Sequence, residues 1–185
     1  MRLEYTSKEP KFVDEADQQI LTRVLKRRGG SLIPLDRTLL HAPSITDGFN
    51  AFMIALRTRN SLPDDVREIA FCRVASLTGC WYEWEIHSPI AAAAGVSQDG
   101  LQTLRDSQAT GSKGLSDRQL SVVYYADAMT KAAKVPEEVF KAARTFFNNQ
   151  QMVELTATIA GFNMVARFCV ALDVGENNDL KEDAV

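Results

Sequence analysis

The sequence predicts an all-α fold in a single domain spanning 1–185. Three observations carry this. Gly 10 and Pro 6 are a small share of 185 residues, alanine is frequent, and β-branched runs are short. Apolar residues recur at three- and four-residue spacing over long stretches. Those stretches open on Asp, Ser or Pro and mostly close near Gly, the usual asymmetry of helix starts and stops. The length suits one core, and no segment has the composition of a linker between domains.

Residues 1–13 read as an extended arm. Asp14 starts a helix over about 14–27, and Gly29-Gly30 follow its end. A looped stretch carries Pro34 and Pro43. Ser44 caps a helix to about Arg59, with Ile45, Phe49, Phe52, Met53 and Leu56 at helical spacing. Pro63-Asp64-Asp65 opens the next helix, because proline suits a first turn and acids suit the positive end of the helix dipole. It runs to about Thr78-Gly79. Another helix runs from about Cys80 to Ala94 and is ended by Gly95. Ser97 caps a short helix to about Arg105. Gly111 and Gly114 mark a polar loop, the best place for mobility. Ser116-Asp117 starts a long helix to about Ala133, Pro136-Glu137-Glu138 another to about Phe147, and the last runs from about Gln150 to Leu172. The tail 175–185 is acidic and reads as loose. That makes about eight helices and no convincing strand.

Composition narrows the function. Lys+Arg 21 against Asp+Glu 24 give a net charge of −3, no footprint for nucleic acid or an anionic membrane. With His41 and His87 alone, one chain cannot build a three-histidine metal site. Three cysteines make no disulfide framework, and their sparse, odd count fits a reducing interior, with the cytoplasm expected. Met1–Pro10 lacks the apolar run of a secretory signal, and no run of about 18 uninterrupted apolar residues predicts a membrane span.

The chemistry concentrates in 68–87. At about 100° per residue, Cys80, Glu83, Trp84, His87 and Ala91 share one stripe of their helix. Glu83 and His87 are i, i+4 neighbours, and Cys80 lies one turn before Glu83. In an apolar stripe a carboxylate resists ionising while a nearby imidazolium pulls the other way, which is how a site obtains a proton donor and acceptor near neutral pH. Pro89 removes a backbone donor just beyond His87 and should kink the helix there. On the preceding helix Glu68 aligns with Cys72, Ala75 and Gly79. That helix is otherwise apolar almost all round, so Glu68 needs a partner. His87 is one candidate; a structural ion pair with Arg73 or Arg167 is the other. Cys72 and Cys169 read as core, and His41 as non-catalytic. Trp81, Tyr82 and Trp84 either belong to the core or a subunit interface, or wall an organic pocket. Asn163 and Arg167, at i, i+4, either satisfy a neighbouring helix or reach into that pocket.

These residues resemble the carboxymuconolactone decarboxylase family: Arg67-Glu68-Ile69-Ala70, then Arg73-Val74-Ala75, then Gly79-Cys80-Trp81-Tyr82-Glu83-Trp84-Glu85-Ile86-His87. Supporting segments are Arg37-Thr38-Leu39-Leu40-His41-Ala42-Pro43 and Gly161-Phe162-Asn163-Met164-Val165-Ala166-Arg167-Phe168. The resemblance implies an AhpD-like helical fold that assembles as a homo-oligomer, a trimer, a hexamer or a dimer-based form. One branch of that family reduces peroxides with a glutamate, a Cys-x-x-Cys pair and a histidine. Carried over, these are Glu68, Cys80 and His87, with Glu83 where the second cysteine belongs. The broken pair disfavours a dithiol peroxidase and leaves a single-cysteine route through Cys80. The decarboxylase branch needs no metal or cofactor. It implies proton transfer by His87, orientation or charging by Glu68, a second acid or base in Glu83, and Cys80, Tyr82, Trp84, Asn163 and Arg167 about the pocket. The leading expectation is therefore decarboxylation or proton transfer on a small cyclic organic acid or lactone. Thiol-dependent peroxide reduction is second, and a non-catalytic ligand-binding oligomer third.

Overall fold

The computed structural model describes residues 1–109 and 111–180. Among these the chain forms nine helices and no strand. They are α1 (Glu15–Arg28), α2 (Pro34–Leu39), α3 (Pro43–Thr58), α4 (Asp64–Thr78), α5 (Trp81–Ala93), α6 (Gln98–Arg105), α7 (Asp117–Ala132), α8 (Glu137–Arg144) and α9 (Asn149–Leu172). The predicted starts and stops hold locally. The Asp14 carboxylate accepts from the Ala16 and Asp17 amides, Gly29 closes α1 at φ 70, and Ser116 with Gln119 forms a capping box at α7.

Helix α4 is the axis. Val66, Ile69, Ala70, Phe71, Val74 and Ala75 are all fully buried, and α5, α6, α7 and α9 pack around them. Arg73 is buried in the same helix. Its guanidinium grips Asp127 of α7 through Nε (2.5 Å) and Nη2 (2.9 Å), while Nη1 donates to the Asp106 carbonyl at 2.7 Å. One cation thus ties α7 and the end of α6 to the axis, and it is not the partner of Glu68. Helix α9, by length and composition, is apolar enough to cross a bilayer. In this fold it lies against α4 with Thr158, Ile159 and Phe162 wholly buried.

Four local differences from the sequence reading have physical causes. The Pro34–Pro43 stretch holds a helix, α2, where a loop was expected. Asp36 is 1% exposed and takes Arg27 and Arg28 at 2.7–3.0 Å as well as the Ile33 amide at 3.3 Å, so contacts across the chain hold six residues too short to show periodicity. Gly114 is packed, with φ 74 and backbone so close to Gly100 that a Cβ would meet its nitrogen at 2.3 Å. The arm of 1–13 is fastened to the other end of the chain. The Met1 ammonium reaches Asp173 at 2.8 Å, the Arg2 amide donates to the Leu172 carbonyl and the Gly175 amide to the Tyr5 hydroxyl. The segment 173–180 is hydrogen-bonded as well, Asn178 Nδ2 donating to the Val170 carbonyl at 2.7 Å. The expectation for 181–185 lies outside the described residues.

Candidate active site

Four helices deliver one polar group into this core. Helix α4 brings Glu68, α5 brings Glu83 and His87, α3 brings Arg57 and α9 brings Phe162 and Cys169. Glu68 reaches His87 because α4 and α5 are joined by a tight turn at Gly79 (φ 67), which folds α5 back along α4. His87, Glu83 and Glu68 are 1%, 2% and 4% exposed.

His87 is held on both nitrogens. Nδ1 lies 2.6 Å from Glu68 Oε2. The other Glu68 oxygen takes Arg67 Nε at 3.4 Å. Nε2 lies 3.0 Å from Arg57 Nη2 and 3.4 Å from Glu83 Oε2. Phe71 and Phe162 stand edge-on to the ring at 4.8 and 5.1 Å and stack on each other at 4.2 Å. The ring is therefore fixed in position by two carbon walls and a short bond.

The two neighbours of Nε2 make opposite demands. Arg57 can only donate, so it asks Nε2 for a lone pair. An ionised Glu83 can only accept, so it asks Nε2 for a proton. Each protonation state of Nε2 satisfies only one of the two. Burial lowers the His87 pKa, the hydrogen bonds to Glu68 and Glu83 raise it, and the Arg57 charge lowers it; the balance lies above the usual imidazole value of 6.5. Arg57 is itself held below its ordinary value, by burial first, with Glu83 opposing. Its Nε is buried without a partner.

A second group adjoins the first. The Cys169 thiol donates to Glu83 Oε1 at 3.9 Å. Glu83 thus touches a thiol with one oxygen and the imidazole with the other. Burial raises the Cys72 pKa, with Glu68 adding to it.

The structure brings together Glu68, Glu83 and His87 as the sequence predicted, and Glu68 takes His87 rather than Arg73 or Arg167. Cys80 is the N-cap of α5 and is buried. Trp84 packs edge-on to Trp81 at 6.4 Å within the core. Tyr82 packs on Gly175, with its hydroxyl raised in pKa by burial and by Glu83. Asn163 and Arg167 turn to α7: Asn163 Nδ2 donates to Thr130 Oγ1 at 2.9 Å, and Arg167 bonds to Asn163 and to the Thr130 carbonyl. Of the two readings open for that pair, the structure favours the neighbouring helix, since both side chains find their partners there. Helix α5 runs on through Pro89. Sequence reasoning missed Arg57. The only signal was its place beside the buried positions Met53 and Leu56 on α3, which periodicity alone reads as a surface cation. It also treated Cys169 as plain core, because 86 residues separate it from Glu83.

The family model described as the carboxymuconolactone decarboxylase family matches residues 43–138, just over half of the chain. The chain belongs to the carboxymuconolactone decarboxylase family. The matched span carries Arg57, Glu68, Cys80, Glu83 and His87. A search of curated protein sequences finds no match. Among solved structures the chain is similar to a peroxidase-related protein from Silicibacter sp. TM1040, with 18% identity, TM-score 0.72, and coverage of 95% of this chain and 94% of that one. It is also similar to a peroxidase-related AhpD-core protein from Ralstonia eutropha JMP134, at 20% identity, TM-score 0.71 and 93% coverage of each chain. A third is the debrominase Bmp8, at 19% identity, TM-score 0.69 and 91% coverage of each chain. At these identities the likeness establishes an AhpD-like fold for this member of the family.

Proposed function

We propose that this family member is a cofactor-independent, decarboxylase-like enzyme acting on a small cyclic organic acid or lactone, with His87 as the proton carrier. One observation carries the reading: a buried imidazole, pinned at Nδ1 by Glu68, presents Nε2 to a cation and a carboxylate together. Loss of carbon dioxide from such a substrate leaves its electron pair in a dienolate that extends into the carbonyl. Arg57 supplies positive charge for the anionic group, and Nε2 of the imidazolium hands a proton to a ring carbon. Glu68 stabilises the imidazolium and sets the ring's orientation. The delivered proton stays on the product, so each turnover takes one proton from solvent, and Glu83 relays it to Nε2. The group is closed from solvent in the single chain, so turnover requires an opening beside His87. Homo-oligomerisation is part of the reading. Ile45, Phe52 and Met164 on α3 and α9, with Ile86 and Ile90 on α5, are exposed apolar side chains around this region. The sparse, reduced cysteines suit a cytoplasmic setting.

The test is carbon dioxide release from a panel of small carboxy-lactones. Wild-type protein is expected to turn over a member of the panel. His87→Gln should abolish turnover, and Glu68→Gln should lower kcat by about 10²- to 10⁴-fold, the usual range for general acid–base catalysis. Turnover unchanged in His87→Gln would sink the proposal. No wild-type turnover across the panel would count for a non-catalytic oligomer. A second reading is thiol chemistry at Cys80, the N-cap of α5 three residues before Glu83. The fold itself admits several chemistries, since its structural neighbours are named for peroxidase relationship and for debromination.

A further inference from the structure

We infer that Arg57 gates the closed site: an unprotonated Nε2 of His87 latches the guanidinium inward, and protonation of the ring releases it toward solvent. Five side chains stand against the imidazole. Phe71, Phe162, Glu68 and Glu83 are buried, whereas Arg57 is only half-buried. Its side chain is therefore the most direct link from the ring to the surface.

The latch is a single bond. Arg57 Nη2 donates to Nε2 at 3.0 Å, and its Nε is buried without a partner. No other hydrogen bond or ion pair of this guanidinium occurs among the described residues. The Phe71 ring, 5.6 Å from Cζ, adds attraction without a fixed direction. A buried arginine that serves the fold looks different. Arg73 gives two nitrogens to Asp127 and the third to the carbonyls of Thr103, Leu104 and Asp106.

Protonation removes the latch. With Nδ1 on Glu68, a bare Nε2 accepts from Arg57; once Nε2 carries hydrogen it has no lone pair to offer. Two cations would then face each other at 3.0 Å, and the new N–H has Glu83 Oε2 at 3.4 Å to turn to. The neighbouring charges leave Arg57 little reason to stay. Glu68 on α4 is engaged by Nδ1, and Arg67 on α4 and Arg28 on α1 add like charge. Asp36 on α2 is taken by Arg27 and Arg28. The thiols of Cys72 on α4 and Cys169 on α9 are raised in pKa and stay neutral. Burial lowers the His87 pKa, but the bonds to Glu68 and Glu83 carry it above 6.5, which sets the release above that pH.

The proton that arms the ring thus also opens the way to it, and an anionic group of the substrate takes the place of the lost lone pair at Arg57. The inference rests on His87 as the proton carrier of a closed site. Its test needs no substrate, so its outcome is separate from whether a lactone is turned over. The full chain is labelled with phenylglyoxal, which condenses with guanidinium groups, from pH 6 to pH 9, and peptide mass spectrometry reads Arg57 against the exposed Arg59. The Arg59 yield cancels the reagent's own dependence on pH. The Arg57/Arg59 ratio is expected to fall as pH rises, by up to about tenfold per unit, the slope of one proton. His87→Gln keeps an acceptor at every pH, so its ratio should be low and level. Glu83→Gln, a second variant should the first fail to fold, should shift the fall to lower pH. A wild-type ratio that is level or rises with pH, a fall retained in folded His87→Gln, or a fall unmoved in Glu83→Gln would each overturn the inference.

Discussion

At Nε2 of His87 a guanidinium and a carboxylate compete for one nitrogen, and each can be removed by itself. The Arg57 charge lowers the His87 pKa, whereas the hydrogen bond to Glu83 raises it. Arg57→Gln is therefore expected to move the imidazole titration upward and Glu83→Gln to move it downward. NMR observation of the His87 ring C–H resonances across pH checks both. Shifts of equal sign in the two variants would mean that the charges do not compete at this nitrogen. The Glu68 bond is a different matter. It lies on Nδ1 at 2.6 Å, and removing one partner of a buried charged pair leaves the other without compensation, at a cost of about 3–5 kcal/mol. Glu68→Ala should show that loss in urea unfolding, while Glu68→Gln, which keeps a hydrogen-bonding oxygen, should lose less.

Helix by helix, what could be read in the sequence followed from local chemistry. Asp14, Ser97 and Ser116 cap helices because their side chains satisfy backbone amides within three residues, and no distant part of the chain is needed. Helices α4 and α5 follow in the same way from Pro63-Asp64-Asp65 and Gly79, and their stripes place Glu68, Glu83 and His87 together. What escaped was set by distance. Arg57 joins the site from α3, Cys169 from α9, and Arg73 finds Asp127 54 residues away. Helix α2 escaped for the same reason, since Asp36 holds it through arginines of α1. Asp36→Ala is expected to destabilise the fold by about 3–5 kcal/mol, because Arg27 and Arg28 would keep charges facing a buried, empty acceptor. Ser116→Ala, which removes only a local cap, should cost about 1 kcal/mol. Urea unfolding of the two variants under one buffer measures the contrast; equal losses would show that α2 is not latched by its acid.

For the whole molecule, these groups make stability depend on pH in a definite direction. Burial opposes the charged form of His87, but Glu68 and Glu83 outweigh burial and Arg57 together, so the folded pKa lies above 6.5. The folded chain then holds that proton more tightly than the unfolded chain. The resulting stabilisation is complete below 6.5 and is lost as pH rises through the folded value. The chain ends act in the same sense on the alkaline side. The Asp173 hydrogen bond raises the Met1 ammonium above its usual 8.0, so its contribution is present below 8.0 and fades above. The same contact holds the Asp173 carboxyl below 3.8, so its contribution is present above 3.8 and fades in acid. Both terminal groups are solvent-screened, which leaves the buried imidazole as the stronger influence near neutrality. Urea midpoints taken from pH 5 to pH 9 are accordingly expected to fall with rising pH in the wild type. His87→Gln, less stable at every pH, should flatten that fall, and a variant blocked at the N-terminus should retain the neutral part of it. A wild-type midpoint that rises between pH 6.5 and 8 would mean that His87 folds as a neutral ring, with the Arg57 bond rather than the Glu83 bond deciding its proton.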